Sequence, residues 1–392
     1  MCLTGNLVSG RTAFALGLSA GLVALLAVTA RRTVAAALLA GLAGALSPVA
    51  GLFVGVAGVA LLVTGRRRDG LAVGVGAAVP LVLTGVVFGQ GGDATIRWYD
   101  VWTAGLLTLA VLVAAPQRAV RVGAALLVAG LGASLLLTPS VGHNAGRLAL
   151  LLAAPLVLAL APWRPVVVGA VVTAMVVLRP PVSVTDLRRA GDSALTEGFF
   201  APIAAELAAR APTGRVEAVP LREHGEALYL SEVAPLARGW LRQQDTRTAP
   251  LFYDGTLDAQ RYRSWLADSA VQYVALADTR LDGAGRAEGA LLRRGLPYLD
   301  EVWRGGAWTL YEVADPVPLA EGARVLAATP QALTLQVDAP GQVRVRVRHS
   351  RWLTLSGPGC LEPDGRWLRL RADRPGTYVL SSALRLRPSA RC

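Results

Sequence analysis

The twenty residues Pro162–Pro181 (PWRPVVVGAVVTAMVVLRPP) divide the chain into two segments that no single solvent suits. Before them the sequence is almost continuously apolar; after them it is rich in Arg, Asp and Glu. Of the 27 acidic residues only Asp69, Asp93 and Asp100 lie in 1–180. Twelve of the 39 basic residues, all of them Arg, lie there too, so most of the net charge of +12 belongs to the apolar segment. Arginines placed between hydrophobic runs point to membrane anchoring rather than nucleic-acid binding. The complete absence of Lys fits GC-rich coding, so the Arg count alone carries no function.

The apolar runs fall at about 12–30, 33–46, 49–64, 70–89, 102–115, 120–137, 147–161 and 165–178. Several are no longer than 15 residues, short of the roughly 20 that cross a bilayer unaided. The second and third could be one long helix kinked at Pro48. Charge decides between the two. With eight crossings, Arg31, Arg32, Arg66, Arg67, Arg68, Arg118, Arg121 and Arg164 share one side, against Arg11, Arg97, Arg147 and Arg179 on the other. Fusing the two runs would oppose Arg31 and Arg32 to Arg66–Arg68. The positive-inside rule therefore favours eight spans with Ser47-Pro48 as an outer turn. Trp98, Tyr99 and Trp102 then suit the outer interface and Trp163 the inner one. The polar half falls outside the cytoplasmic membrane. The first run would travel inward, with no basic region or cleavage site before it. That leads to the expectation that Met1 is an internal start and that further helices precede it.

Two outer loops hold the polar residues of this half, Gln90–Asp100 (QGGDATIRWYD) and Thr138–Arg147 (TPSVGHNAGR). Charged groups at a membrane boundary can line a substrate site, since hydrocarbon penalises them elsewhere. Asp93 and Asp100 could serve as a base or hold a divalent cation, with Arg97 beside them. His143, Asn144 and Arg147 could bind a phosphate, Arg through forked charge-assisted hydrogen bonds. The alternative is that all are solvated loop residues, Arg147 snorkelling at a helix start. No cofactor is otherwise evident.

Beyond Pro181 the periodicity changes. Helices are expected at Ser193–Ala211, in the later part of Ser231–Asp245, at Asp258–Ser269 and at Arg286–Arg294. Strands are expected at Arg215–Leu221, Leu251–Asp254 and Val271–Ala277, with a hairpin through Gly305-Gly306 joining Glu301–Arg304 to Trp308–Val313. Alternating strands and helices make an α/β unit over 181–318. Strict alternation at Leu333–Val337, Val343–Arg348, Trp367–Arg371 and Thr377–Ser381 makes 319–392 a small β-sandwich. The apolar 1–180 is the transmembrane helical domain. Among three cysteines no zinc cluster is possible. Cys360 and Cys392 could form a disulfide if their segment is extracytoplasmic, or stay as two thiols. No hydrolase, zincin, nucleotide-loop or dithiol motif is present. The densest polar cluster runs from His224 and Glu226 to Arg238, Trp240 and Asp245. It could bind a sugar or phosphate, Trp240 stacking on the sugar, or be a structural ion-pair network beneath a helix.

The Ser47-Pro48 turn and the segments GHNAGRL (Gly142–Leu148), RGWLRQQD (Arg238–Asp245), VQYVALA (Val271–Ala277), LPYLDEVWRGGAWTLYEV (Leu296–Val313) and HSRWLTLSG (His349–Gly357) make the chain similar to the later part of GT-C-type membrane glycosyltransferases. It also resembles the related YfhO-like bacterial membrane proteins. The resemblance spans most of the chain. It implies transfer of a sugar from a polyprenyl-phosphate-linked donor at the outer membrane face, with membrane lipids as partners and no nucleic acid. In that family an acidic residue of the first outer loop is catalytic. Here no acidic residue precedes Asp69, which the topology places inside, so the role would fall to Asp93 or Asp100. The rival readings are a scaffold, a glycan binder or a transporter. No inverted repeat of the transporter kind is visible.

Overall fold

A computed structural model of the chain describes residues 5–6, 9–89, 92, 96–137, 142–180, 182–187, 191–239, 241–384 and 392. The chain divides into two compact units, Met1–Ala190 and Gly191–Cys392.

In the first unit each apolar run is one helix: α1 (Thr12–Thr29), α2 (Thr33–Leu46), α3 (Pro48–Val63), α4 (Arg67–Phe88), α5 (Trp98–Ala114), α6 (Arg118–Leu137), α7 (Arg147–Leu160) and α8 (Pro165–Leu178). A shorter helix, Val182–Leu187, follows and belongs to the same unit. The second and third runs do not fuse. Ser47 is extended, at φ −154°, and its hydroxyl caps α3 by accepting from the Ala50 amide, with Pro48 fixed at the first helical position. Between α3 and α4 the turn needs a positive φ, which Gly65 supplies at +91°.

Three of these helices, α1, α4 and α6, are long and apolar enough to cross a membrane. At 1.5 Å per residue their 18, 22 and 20 residues extend about 27–33 Å, the thickness of a bilayer core. The remaining five are shorter. Where helices meet, small residues line the contact: Ala24, Ala36, Ala40, Ala43 and Ala77 are wholly or almost wholly buried. Where they face outward they are apolar too, with Leu136 85% and Val166 83% exposed. Water would penalise so much exposed hydrocarbon and lipid would not.

The second unit holds three four-stranded sheets. The first has the order β1-β2-β4-β3, from β1 (Arg215–Ala218), β2 (Val271–Ala277), β3 (Leu299–Gly305) and β4 (Trp308–Val313). Its β1 and β2 run parallel and the other pairs antiparallel. Strand β2 is buried almost throughout, as a continuous apolar run at a sheet centre should be. Helices α9 (Glu197–Arg210), α10 (Ala259–Asp268) and α11 (Gly283–Arg293) supply Phe200, Ile203, Leu207, Tyr262, Leu266, Leu291 and Leu292 to its core. The expected strand at Leu251–Asp254 is instead a turn of 3-10 helix, Pro250–Phe252. Pro250 cannot donate to a ladder, and four apolar residues do not distinguish the two periods.

The last part is strand-rich. The elements β5 (Ala320–Glu321), β6 (Arg324–Ala328), β7 (Ala332–Val337), β8 (Gly341–Val345), β9 (Leu353–Ser356), β10 (Gly359–Asp364), β11 (Trp367–Ala372) and β12 (Gly376–Ser382) form two antiparallel sheets, β10-β11-β8-β5 and β6-β7-β12-β9. Their inward residues share one core. Val343, Val345, Leu368 and Leu370 of one sheet cluster with Leu335, Tyr378 and Leu380 of the other. Cys360 and Cys392 are joined by a disulfide. This strand-rich part and the α/β sheet belong to one compact unit. Arg215 of β1 donates to the Arg346 and Ser269 carbonyls, and Asp268 receives Arg366 at 2.7 Å and the Trp367 indole at 3.1 Å.

Candidate functional site

At the start of α7 a single 3-10 turn, Gly142–Gly146, delivers Arg147 to the inside of the helical unit. There a cavity of about 190 Å³ is lined by Asn6, Arg11, Asp100, Arg147, Leu150, Leu151 and Arg179. Arg179 pairs with Asp100 at 2.9 Å and lies 5.2 Å from the Tyr99 ring centroid. Arg11 pairs with Asp186 at 3.4 Å and donates to the Ser9 hydroxyl. Arg147 differs from both. Among the described residues its guanidinium has no hydrogen bond or ion pair; it sits 5.4 Å over the Phe14 ring, with Arg11 as a like-charged neighbour. Three guanidiniums thus line the cavity with one carboxylate, a net positive field in a low-dielectric surrounding. An anion would be held there by forked, charge-assisted hydrogen bonds. Just before Arg147, the buried Asn144 Oδ1 has no hydrogen-bond partner among the described residues.

Beyond this polar end lies a second, apolar cavity of about 310 Å³. It runs along α3 from Phe53 to Leu61 and along α7 from Leu148 to Leu156, about 12 Å of helix in each case. Phe14 packs edge-on against Phe53, with centroids 6.4 Å apart, so this aromatic pair stands between Arg147 and the apolar space.

Of the residues expected in these loops, Asp100 and Arg147 meet in one cavity. Arg97 is exposed ahead of α5 and does not line it. Asp93 lies outside the described residues, as does the side chain of His143. Arg11 and Arg179 stood out from sequence only as arginines sharing a side of the membrane with Arg147. That shared side was the available signal for the cluster.

In the second unit the cluster from His224 to Asp245 resolves into two parts. His224, at φ +58°, holds Nδ1 3.3 Å from Glu226 Oε1, and that carboxylate raises the imidazole pKa. Arg238 is enclosed. Its Nε donates to Glu217 Oε1 at 2.9 Å and its Nη2 to Glu288 Oε2, while the Tyr262 hydroxyl donates to Glu288 Oε1 at 2.7 Å. Burial raises the pKa of both carboxyl groups against the opposing pull of Arg238. Asp245, beside Tyr253, is pushed up to about 6 by burial, with Arg238 opposing. Arg238 is thus enclosed in the α/β core and paired with Glu217 and Glu288. Trp240 lies outside the described residues. Glu217, Glu288 and Tyr262 carried no local sequence signal, because they come from β1, α11 and α10.

Among the described residues no group of three or more His, Cys, Asp or Glu side chains could hold a metal ion. Comparison with protein-family models, with curated proteins and with solved structures finds no match, so the likeness to GT-C transferases rests on the segments quoted above.

Proposed function

We propose that the chain is a multi-pass protein of the cytoplasmic membrane that binds a polyprenyl-phosphate-linked sugar at the Arg11–Arg147–Arg179 cavity and transfers the sugar at the outer face. The observation that carries this reading is Arg147, a guanidinium held inside the helical unit with no carboxylate partner among the described residues. A half-buried charge without a counterion is costly, and a lipid phosphate would supply one. The apolar cavity past Phe14 and Phe53 suits the hydrocarbon chain of the same molecule. Eight spans, one for each helix, give the arginine distribution the positive-inside rule favours, and place the second unit outside the cytoplasm. The Cys360–Cys392 disulfide agrees with an oxidising compartment. In this reading the two facing sheets of 319–392 are a β-sandwich.

Asp100 is the carboxylate that could activate the acceptor. It is engaged by Arg179, and a bound phosphate would draw Arg179 away and free it. That same ion pair also favours a second reading, a non-catalytic lipid-binding membrane protein in which Asp100 only positions Arg179.

The test uses the full chain in lipid nanodiscs with a polyprenyl phosphate as probe. Arg147→Ala should weaken binding by about tenfold or more, the scale of a lost charge-assisted contact. Unchanged affinity sinks the phosphate site. Asp100→Asn should keep binding and abolish sugar transfer. Binding without transfer by the unaltered chain selects the second reading.

A further inference from the structure

The carboxyl ends of two adjacent parallel strands are where open α/β sheets gather ligands. Here the loops after β1 and β2 are zipped together. Leu221 and Leu281 form an antiparallel bridge, and the Arg222 amide donates to the Arg280 carbonyl at 2.9 Å. Beside them α11 begins, capped by Asp282. The result is an open cleft of about 450 Å³ lined by Arg222, Thr279, Arg280, Leu281, Arg286 and Arg293. Four of those six residues are arginines, and no carboxylate lines the cleft.

Nearby acids leave the cleft's charge largely uncompensated. Asp282 is committed to Arg242 at 2.7 Å and to the helix cap, and Glu223 pairs with Arg222 at 3.1 Å. The guanidiniums of Arg280, Arg286 and Arg293, all exposed residues, have no hydrogen bond or ion pair among the described residues. Arg286 and Arg293 lie seven residues apart on one face of α11, about 10 Å along its axis. Like charges so placed repel one another, and nothing in the α/β core requires them there. We propose that this cleft is a binding site for a phosphate-bearing ligand with at least two anionic groups. The guanidinium forks grip the phosphate oxygens on the rigid platform of the two loops. A lipid headgroup and a soluble phosphorylated sugar present the same chemistry. The site shares no residue with the Arg147 cavity.

The experiment titrates inorganic pyrophosphate into the full chain in neutral detergent by calorimetry. The unaltered chain should show saturable binding that weakens steadily as salt rises. The double variant Arg280→Ala/Arg286→Ala should lose about tenfold or more in affinity, with unchanged thermal unfolding because both side chains are exposed. Arg147→Ala, which alters the other anion site, should retain the binding that the double variant loses. Equal affinity in the double variant, no saturable binding at all, or loss confined to Arg147→Ala overturns the proposal. Repeating the titration in nanodiscs separates the sources. If phosphatidic acid lowers the apparent affinity for pyrophosphate relative to phosphatidylcholine, the natural ligand is a headgroup; if not, it is a soluble phosphate.

Discussion

Arg238 Cζ lies 3.5 Å from the centroid of the Phe252 ring, so this cation inside the α/β core is held by an aromatic face as well as by Glu217 and Glu288. This arrangement makes it hard to replace. Arg238→Met keeps most of the volume and leaves two buried carboxyl groups without their guanidinium partner. Breaking a buried pair in this way costs about 3–5 kcal/mol. Urea unfolding of the full chain, followed by tryptophan fluorescence, should show a loss of that order for the second unit. Adding Glu217→Gln and Glu288→Gln should recover most of it. An Arg238→Met variant as stable as the unaltered chain would show that the network contributes nothing.

The same network sets a pH dependence. Burial, with the like charges of Glu288 and Asp245, pushes Glu217 up to about 8 from an ordinary value of 4.5, against the pull of Arg238. A carboxyl with a raised folded-state pKa takes up a proton on folding. Stability is then greatest below the unfolded value and falls as pH rises toward 8, by at most about 1.4 kcal/mol per unit. Asp245, raised to about 6 by burial, acts in the same direction below that pH. Urea midpoints should therefore decline from pH 5 to 8. The decline should flatten in Glu217→Gln, whose amide oxygen still accepts from Arg238. A variant with the same slope as the unaltered chain would remove Glu217 as its source.

Much of the helical unit was legible because its signal is local. Each apolar run became one helix, and Ser47-Pro48 separated α2 from α3 through a hydroxyl cap and a fixed φ, both readable from two residues. The candidate site was only half legible. Arg147 could be singled out in its loop, but Asp100 and Arg179 meet across distant parts of the chain, and nothing near either residue announces the other. The α/β network was hidden for the same reason. In the strand-rich part the four strictly alternating strands were visible. Strands β6 and β10 were not, because RVLAA and GCLEPD do not alternate cleanly and owe their extension to ladder partners β7 and β11.

The Cys360–Cys392 disulfide ties strand β10 to the chain's last described residue, where the Cys392 amide also donates to the Leu361 carbonyl. It closes a loop across a separation of 32 residues. The chain-entropy model then gives it about 3–4 kcal/mol, by restricting the unfolded chain. Reductant, or Cys360→Ser/Cys392→Ser, should lower the melting temperature of the second unit and leave that of the helical unit unchanged. Identical melting of oxidised and reduced protein would mean that the bond constrains little.

Helices α2, α3 and α4 approach so closely that their glycines meet backbone. A Cβ on Gly76 would lie 2.4 Å from the Ala37 carbonyl oxygen, one on Gly44 2.8 Å from that of Ala77, and one on Gly58 2.7 Å from the Gly74 amide nitrogen. None of these neighbours is a flexible side chain, so none can give way cheaply. With apolar side chains facing out as well as in, the burial of hydrocarbon would not by itself drive such helices together were a bilayer to surround them. Close backbone packing through small residues would. Gly76→Ala should therefore cost about 1–3 kcal/mol as overpacking and lower the temperature at which the full chain in detergent loses its monodisperse peak. Gly85, on the same helix, has nothing within 4 Å of its Cβ position. Gly85→Ala should be neutral or gain the roughly 0.5–1 kcal/mol that Ala holds over Gly in a helix. The two variants change hydrophobicity and helix propensity alike, so their difference isolates the close approach. Equal stability would mean that α4 does not pack against α2 through Gly76.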